Sequence, residues 1–258
     1  MIPVALSIAG SDPSGGAGLQ ADLKTFHRFG VYGEAVVTLI TVQNTRGVSR
    51  VDVLAPDLVR EQIHAVVTDI PPCAAKTGAL GNQAVLEAVA EMAASFQFPL
   101  VVDPVMISKH GASLMDEAAR RLFVANMLPR AFLLTPNLDE ADALFGHPVR
   151  STQAMLEAAF ALIGMGARNV LIKGGHLEGA ASDVLVEQDG AVTWLHADRI
   201  PTPHTHGTGC TYSAAITAEL AKGVALREAV HLAKAFVTRA IRTNPGLGGG
   251  SGPLNHHA

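Results

Sequence analysis

Short apolar runs alternate along this chain with helical patterns, and several of the runs lack the apolar–polar alternation of a strand with one wet face. Residues 4–9 and 99–105 show this best. A strand reads this way when both of its faces are buried, and helices must then cover those faces. The pattern predicts an α/β fold: a central, mostly parallel sheet flanked by helices on both faces. Residues 4–9 run into a glycine-rich loop, 10–18, and then a helix with Leu19, Leu23 and Phe26 on one side, stopped by Gly30. Residues 34–42 and 51–54 read as strands, and Pro56 opens a helix. Farther on, residues 73–76 read as a buried strand, 82–94 and 113–127 as helices, and 131–135 as a strand stopped by Pro136. Asn137 caps a helix running through Glu140 and Leu144, and residues 152–165 make another. Residues 169–173 form a strand opening onto two glycines, and 183–187 with 191–196 a hairpin turning at Asp189 and Gly190. Helices at 210–222 and 226–242 precede a glycine-rich end, 246–252, that reads as a flexible tail. No linker or shift in composition divides the chain, so one domain over residues 1–258 is expected.

With 48% of residues hydrophobic and 16% charged, material for a large core is present. A net charge of −4 gives no reason to expect nucleic acid or an anionic membrane as partner. The cysteines, Cys73 and Cys210, stand far apart, which suits a reducing, cytoplasmic setting rather than a disulfide framework. Cys73, on a strand read as buried, is expected to be structural. The first apolar run has no basic region before it and reads as a strand, not a signal peptide. No stretch is long enough, without polar interruption, to span a membrane.

In open parallel sheets, ligands bind outside the carboxyl ends of the strands. Ser11 and Asp12, Gln43 and Asn44, Lys76, Asp103, Asn137 with Glu140, and Lys173 all fall at that edge. One more stretch joins them: His204-Thr205-His206-Gly207-Thr208-Gly209-Cys210-Thr211, followed at once by an alanine-rich helical run that stops at Gly223. Gly207 and Gly209 leave backbone N–H groups free to point at one spot, and the start of a helix favours negative charge there. The same field would favour a thiolate at Cys210. On this stretch alone, a turn capped by Thr208 with Cys210 as a small buried residue explains the pattern equally well.

The usual nucleotide fingerprints are missing. There is no Gly-x-x-x-x-Gly-Lys-Ser/Thr, and residues 15–18 do not fit dinucleotide-binding spacing. The histidines show no zinc-ligand spacing either. What remains suits phosphoryl transfer, which needs anion-binding N–H groups, a cation, carboxylates for Mg²⁺ and a base. Gly207, Thr208, Gly209 and Cys210 offer the first and the last, Lys173 the cation, and Asp103 and Glu140 the metal side. Taken singly, a strand-end lysine, an aspartate starting a turn and a glutamate on an exposed helix face account for the last three as well.

Together, the motifs closely resemble a known family. Residues 10–26, Gln43-Asn44-Thr45, Ala75-Lys76-Thr77-Gly78, Val101-Val102-Asp103-Pro104-Val105-Met106, residues 134–141, Lys173-Gly174-Gly175-His176 and residues 205–211 are similar to motifs of the hydroxymethylpyrimidine/phosphomethylpyrimidine kinases of thiamine biosynthesis. Even the end, Gly252-Pro253-Leu254-Asn255-His256, looks like that family's tail. The resemblance covers essentially the whole chain. It implies a ribokinase-like fold, usually a homodimer, and use of ATP with Mg²⁺. The implied reaction phosphorylates the 5-hydroxymethyl group of 4-amino-5-hydroxymethyl-2-methylpyrimidine, then the resulting monophosphate.

The resemblance also implies roles. Cys210 falls where related sugar kinases have an aspartate base, so it would accept the substrate proton while Gly207, Thr208 and Gly209 hold the transferring phosphoryl. An ordinary thiol pKa of about 8.5 must fall for that, and the helix start and Mg²⁺ would both lower it. Gln43 matches the residue that reads the pyrimidine, with a donor and an acceptor on one amide. Ala17 and Val105 would line the ring pocket. Lys173 would contact the ATP phosphates, Asn137 and Glu140 would organise Mg²⁺ and triphosphate, and Asp103 would lie beside them. Lys109, His110 and Gly111 fit either a cover over the phosphates or a plain surface loop. The chain departs from the family at Ala79, where a methionine is frequent. A wider ring pocket there shifts discrimination by about 1–3 kcal/mol per methylene-sized change. That leaves a pyridoxine/pyridoxal kinase as one alternative. A non-catalytic vitamin-binding protein, with Cys210 capturing an aldehyde, is the other.

Overall fold

The structure, a computed structural model, describes residues 2–105, 117–175 and 181–258. Strand side chains alternate between faces, and in the central strands both sets are apolar. Leu6 and Ile8 of β1 (Val4–Ser11) join one core while Ala5 joins the other. Leu100 and Val102 divide from Val101 in β5 (Leu100–Val102), as do Val170 and Ile172 from Leu171 in β7 (Val170–Ile172). This double burial is why the runs show no polar alternation.

Among the described residues 9 strands form one sheet, ordered β3-β2-β1-β4-β5-β6-β7-β8-β9. Its centre is parallel: β2 (Tyr32–Asn44), β1, β4 (Ala74–Thr77), β5, β6 (Leu133–Leu134) and β7. Antiparallel strands close both edges, β3 (Gly47–Val53) on β2, and β8 (Asp183–Val186) with β9 (Val192–Leu195) beyond β7. One face carries α2 (Pro56–Asp69), α3 (Gln83–Ala93), α4 (Glu117–Asn126), α5 (Leu138–Phe145) and α6 (Thr152–Gly164), which contribute Ile63, Val89, Phe123, Leu144 and Leu162 to one core. The other face carries α1 (Gly18–Arg28), α7 (Thr208–Ala221) and α8 (Leu226–Arg242). In α7 every residue from Thr211 to Ala221 is buried, because its alanines let α1 and α8 pack closely around it. A helix apolar on all sides belongs inside.

Some expectations are corrected. β5 ends before Asp103, and β6 is shorter than residues 131–135, since Pro104 and Pro136 have no N–H to extend a ladder. Cys73 is exposed rather than buried, because β4 starts only at Ala74. Residues 246–252 are not a loose tail. Gly252 O accepts from His206 N–H, Ser251 Oγ donates to Pro203 O, and Leu254 beyond them is buried. Met106, Lys109, His110, Gly111, the first residues of the 113–127 helix and His176 lie outside the described residues. No helix among the described residues is long and apolar enough to cross a membrane.

Candidate active site

β5, β6 and β7 end together, and their parallel register sets three loops side by side. Asp103 follows β5, Asn137 follows β6, and Lys173 follows β7, with Asn137 and Lys173 joined by a parallel bridge. Lys173 Nζ donates to Asp103 Oδ1 at 2.9 Å, and Thr135 Oγ1 donates to the same oxygen at 3.1 Å. Burial pushes the Asp103 carboxyl up, but Lys173 and Lys76 outweigh it and hold it below the usual range. Burial likewise opposes the Lys173 charge, yet Asp103 and Glu140 take its pKa to about 12. The pair stays ionised.

Asn137 and Glu140 form a reciprocal cap on α5. Asn137 Oδ1 accepts from Glu140 N–H at 2.9 Å, and Glu140 Oε2 accepts from Asn137 N–H at 2.7 Å. This pins Glu140 in a buried position, and burial raises its pKa to about 7 against the opposing pull of Lys173.

From the other side of the sheet, α7 aims its N-terminus at the same place. Gly207 precedes it with φ of 81°, a conformation that suits glycine, and its Cα abuts the Gly16 carbonyl so closely that a side chain has no room. Thr208 Oγ1 donates to Thr205 O at 2.7 Å and does not cap the helix, so the first turn has no side-chain cap. A Cβ on Gly209 would lie 3.2 Å from Lys173 Nζ, which places the ammonium directly over that turn. Open N–H groups and a lysine thus face one point, an arrangement made for an anion.

A cavity of about 730 Å³ lies there. Asp103, Asn137, Glu140 and Lys173 line it together with Gly207, Thr208, Gly209 and Cys210, and so do Ala17 and Val105. Gln43 and Ala79 are not among its walls. The Gln43 amide nitrogen lies 3.2 Å from Nε2 of His206, which does line the cavity, and Ala79 gives its carbonyl to Thr38 Oγ1 at 2.6 Å. Sequence reasoning missed Lys234 and Asp183, which also line the cavity and pair at 2.7 Å, Nζ to Oδ2.

Three further residues differ from expectation. Lys76 does not open onto the edge. It is fully buried beneath α7, its Nζ 2.8 Å from Asp22 Oδ1 and 3.5 Å from Cys210 O, while Ser7 Oγ donates to Asp22 Oδ2 at 2.6 Å. The Cys210 thiol is not lowered by the helix start. Burial pushes it up to about 11, helped by Asp22 and Asp103, and this outweighs the pull of Lys76. Asp12 is spent inside its own loop: Oδ1 accepts from Ser14 N–H and O–H, and Oδ2 from Ala17 N–H. Burial would raise its pKa, but these bonds and His206 bring it to about 2.

Among the described residues, no group of three or more His, Cys, Asp or Glu side chains stands ready to hold a metal unaided. One or two carboxylates completed by phosphate oxygens is the usual Mg²⁺ arrangement, and Glu140 with Asp103 on the cavity wall fits it.

Comparison with known proteins places the chain in a family. A family model described as phosphomethylpyrimidine kinase matches residues 12–255. The hydroxymethylpyrimidine/phosphomethylpyrimidine kinase of Staphylococcus aureus (strain MRSA252) is 45% identical over 259 residues, covering 99% of this chain and 94% of the relative. Among solved structures, the ADP complex of Bacillus subtilis pyridoxal kinase superposes with a TM-score of 0.94 at 38% identity, covering 100% of this chain and 98% of that one. The pyridoxal kinase of Staphylococcus aureus in complex with AMP-PCP and pyridoxal gives 0.91 at 35% identity, covering 100% and 95%. By its motifs, its fold and a match over nearly its full length, the chain belongs to the phosphomethylpyrimidine kinase family.

Proposed function

We propose that this chain, as one kinase domain, moves the γ-phosphoryl of ATP to the 5-hydroxymethyl oxygen of 4-amino-5-hydroxymethyl-2-methylpyrimidine, and then phosphorylates the monophosphate. The observation that carries the reading is the uncapped N-terminus of α7 beneath Lys173, in one cavity with Asp103 and Glu140. Phosphoryl transfer is governed by positioning and charge neutralisation, and these groups supply both. The names of the curated relatives support the substrate, and nucleotide complexes of the solved neighbours support ATP.

In this reading the N–H groups of Gly209 and Cys210 and the Lys173 ammonium take the charge of the transferring phosphoryl. The hydroxymethyl oxygen attacks phosphorus as the bond to the ADP oxygen breaks, and its proton passes to Cys210 Sγ. That assignment carries a condition. With burial taking its pKa to about 11, Cys210 is a thiol at neutral pH, and the step requires that it first give its proton to solvent. Glu140 and Asp103 would hold Mg²⁺, which supplies charge neutralisation at the phosphates. Asn137 orients Glu140, and Ala17 and Val105 bound the ring. A cytoplasmic homodimer completes the proposal, and the exposed Ile40, Val42 and Val48 at the β2/β3 edge give a second copy an apolar face.

A second reading is favoured by the fold neighbours: phosphorylation of pyridoxal. The higher identity of the curated pyrimidine kinases puts it second. Mass spectrometry of products formed from Mg-ATP with either acceptor separates the two. The proposal expects mono- and then diphosphate from the pyrimidine alcohol. Pyridoxal phosphate without pyrimidine diphosphate would overturn it.

A further inference from the structure

Asp12 and His206 come from loops far apart in the chain, one at the end of β1 and one leading into α7. Their meeting closes a chain of hydrogen bonds that ends on Gln43. His206 Nε2 lies 2.8 Å from Asp12 Oδ2 and 3.2 Å from the Gln43 amide nitrogen. The ring fits because Gly16 has no side chain: a Cβ there would stand 2.6 Å from His206 Cδ2. The His206 backbone is fixed from the other side by its bond to Gly252 O.

Counting hydrogens decides which atoms face each other. Both Asp12 oxygens accept from N–H or O–H groups of the loop, so Asp12 is an acceptor at each of them. His206 Nε2 must therefore carry its hydrogen and donate. A ring N–H cannot also accept from a Gln43 N–H. Thr41 shows the complementary mismatch, since its single hydroxyl hydrogen faces two acceptors, Ser11 O at 2.9 Å and Gln43 Oε1 at 3.3 Å. Half a turn of the Gln43 amide repairs both faults together. Its oxygen then shares the His206 Nε2–H, and its nitrogen donates to Thr41 Oγ1, whose hydrogen stays on Ser11 O. Amide oxygen and nitrogen are alike in size, so the partners choose between them.

We infer that Asp12 and His206 lock the Gln43 amide with its oxygen toward the α7 loop and its nitrogen toward Thr41, and that this lock selects the ring edge the enzyme accepts. The inference rests on the pyrimidine reading above. An oxygen lone pair and an N–H remain for the ligand. The oxygen end suits an exocyclic amine and the nitrogen end a ring nitrogen. In the proposed substrate the amine neighbours the hydroxymethyl group, so placing it at the His206 end brings that group toward Gly209 and Cys210. A 4-oxo ring of the same shape presents the opposite pattern, carbonyl against amide oxygen, and is refused. Asp12 and His206 are positioning residues in this account.

The test compares kcat/KM for the 4-amino alcohol and its 4-oxo analogue in wild type, His206→Leu and His206→Gln. Freed from its lock, the Gln43 amide can turn to suit either ring, so the selectivity ratio falls roughly tenfold or more in His206→Leu. In His206→Gln an amide N–H donates from the same region, and the ratio recovers. Equal losses on both substrates would mean that His206 merely holds the loop, and would overturn the inference. Nitrogen-15 NMR of the wild-type ring needs no substrate: a hydrogen on Nε2 is expected, and a bare Nε2 overturns the lock. If Nε2 carries its hydrogen but wild type leaves the 4-amino alcohol untouched, the pyrimidine reading fails while the lock on Gln43 stands.

Discussion

Two lysine–aspartate pairs near α7 have almost the same geometry and opposite fates. Lys173 and Asp103 meet at 2.9 Å, Lys76 and Asp22 at 2.8 Å. The Lys173 side chain keeps 13% of its surface open, whereas Lys76 and Asp22 both show 0%. Access, not contact distance, separates a working charge from a sealed one. Lys173 stands on the cavity wall, so in the proposed reaction it exchanges part of its partnership with Asp103 for a phosphate. Lys76 has nothing to exchange with; its ammonium is committed to Asp22 and lies against the Cys210 carbonyl.

The largest expected effect breaks the sealed pair. Lys76→Met leaves the Asp22 carboxylate buried without its cation and should cost about 4 kcal/mol of stability in urea unfolding. Adding Asp22→Leu should recover most of that, since a buried pair replaced whole by apolar groups is close to neutral. A loss no greater than that of Lys173→Met would erase the distinction between the pairs. Lys173→Met itself should act mainly on turnover, lowering kcat/KM by roughly 10²–10³, about 3–4 kcal/mol, with a smaller change in stability. A variant that is unstable but fully active once folded would reverse the roles.

Glu140 sharpens the comparison at lower cost. Its folded pKa of about 7 lies above the reference of 4.5, so the protonated form is favoured by folding. Stability from this group is full below about 4.5 and is lost as pH rises through 7, by about 3 kcal/mol in all. Glu140→Gln removes that slope, and the stability difference between wild type and variant should change across this window. A flat difference would mean that burial does not hold the proton on Glu140.

Much of this was legible in the sequence, and the limits have physical causes. Apolar runs on both strand faces announced the parallel sheet, and Asn137 after Pro136 announced a cap, though not that Glu140 returns the bond. Asp103, Lys173 and the glycines before α7 were found because strand ends and helix starts are local features. Lys76 was misplaced because period two tells which face a residue takes but not what covers that face. The field argument for Cys210 counted the helix start and omitted the burial beside Asp22 and Asp103. The contacts of His206 with Asp12 and Gln43 were not legible, because these partners lie 194 and 163 positions away. The glycines of 246–252 read as slack, yet Gly249 and Gly250 pack their backbone against Arg46 and Thr45.

Gly209→Ala tests the central claim most directly. The added methyl would sit 3.2 Å from Lys173 Nζ and 3.7 Å from Asp103 Oδ2, where the proposed mechanism puts the transferring phosphoryl. Gly209 is the second residue of α7, where alanine in place of glycine does not weaken the helix. Unfolding and turnover, measured on the same preparation, should separate: a Tm that holds and a kcat/KM at least roughly a hundredfold lower. A stable protein with undiminished turnover would show that the phosphoryl passes elsewhere.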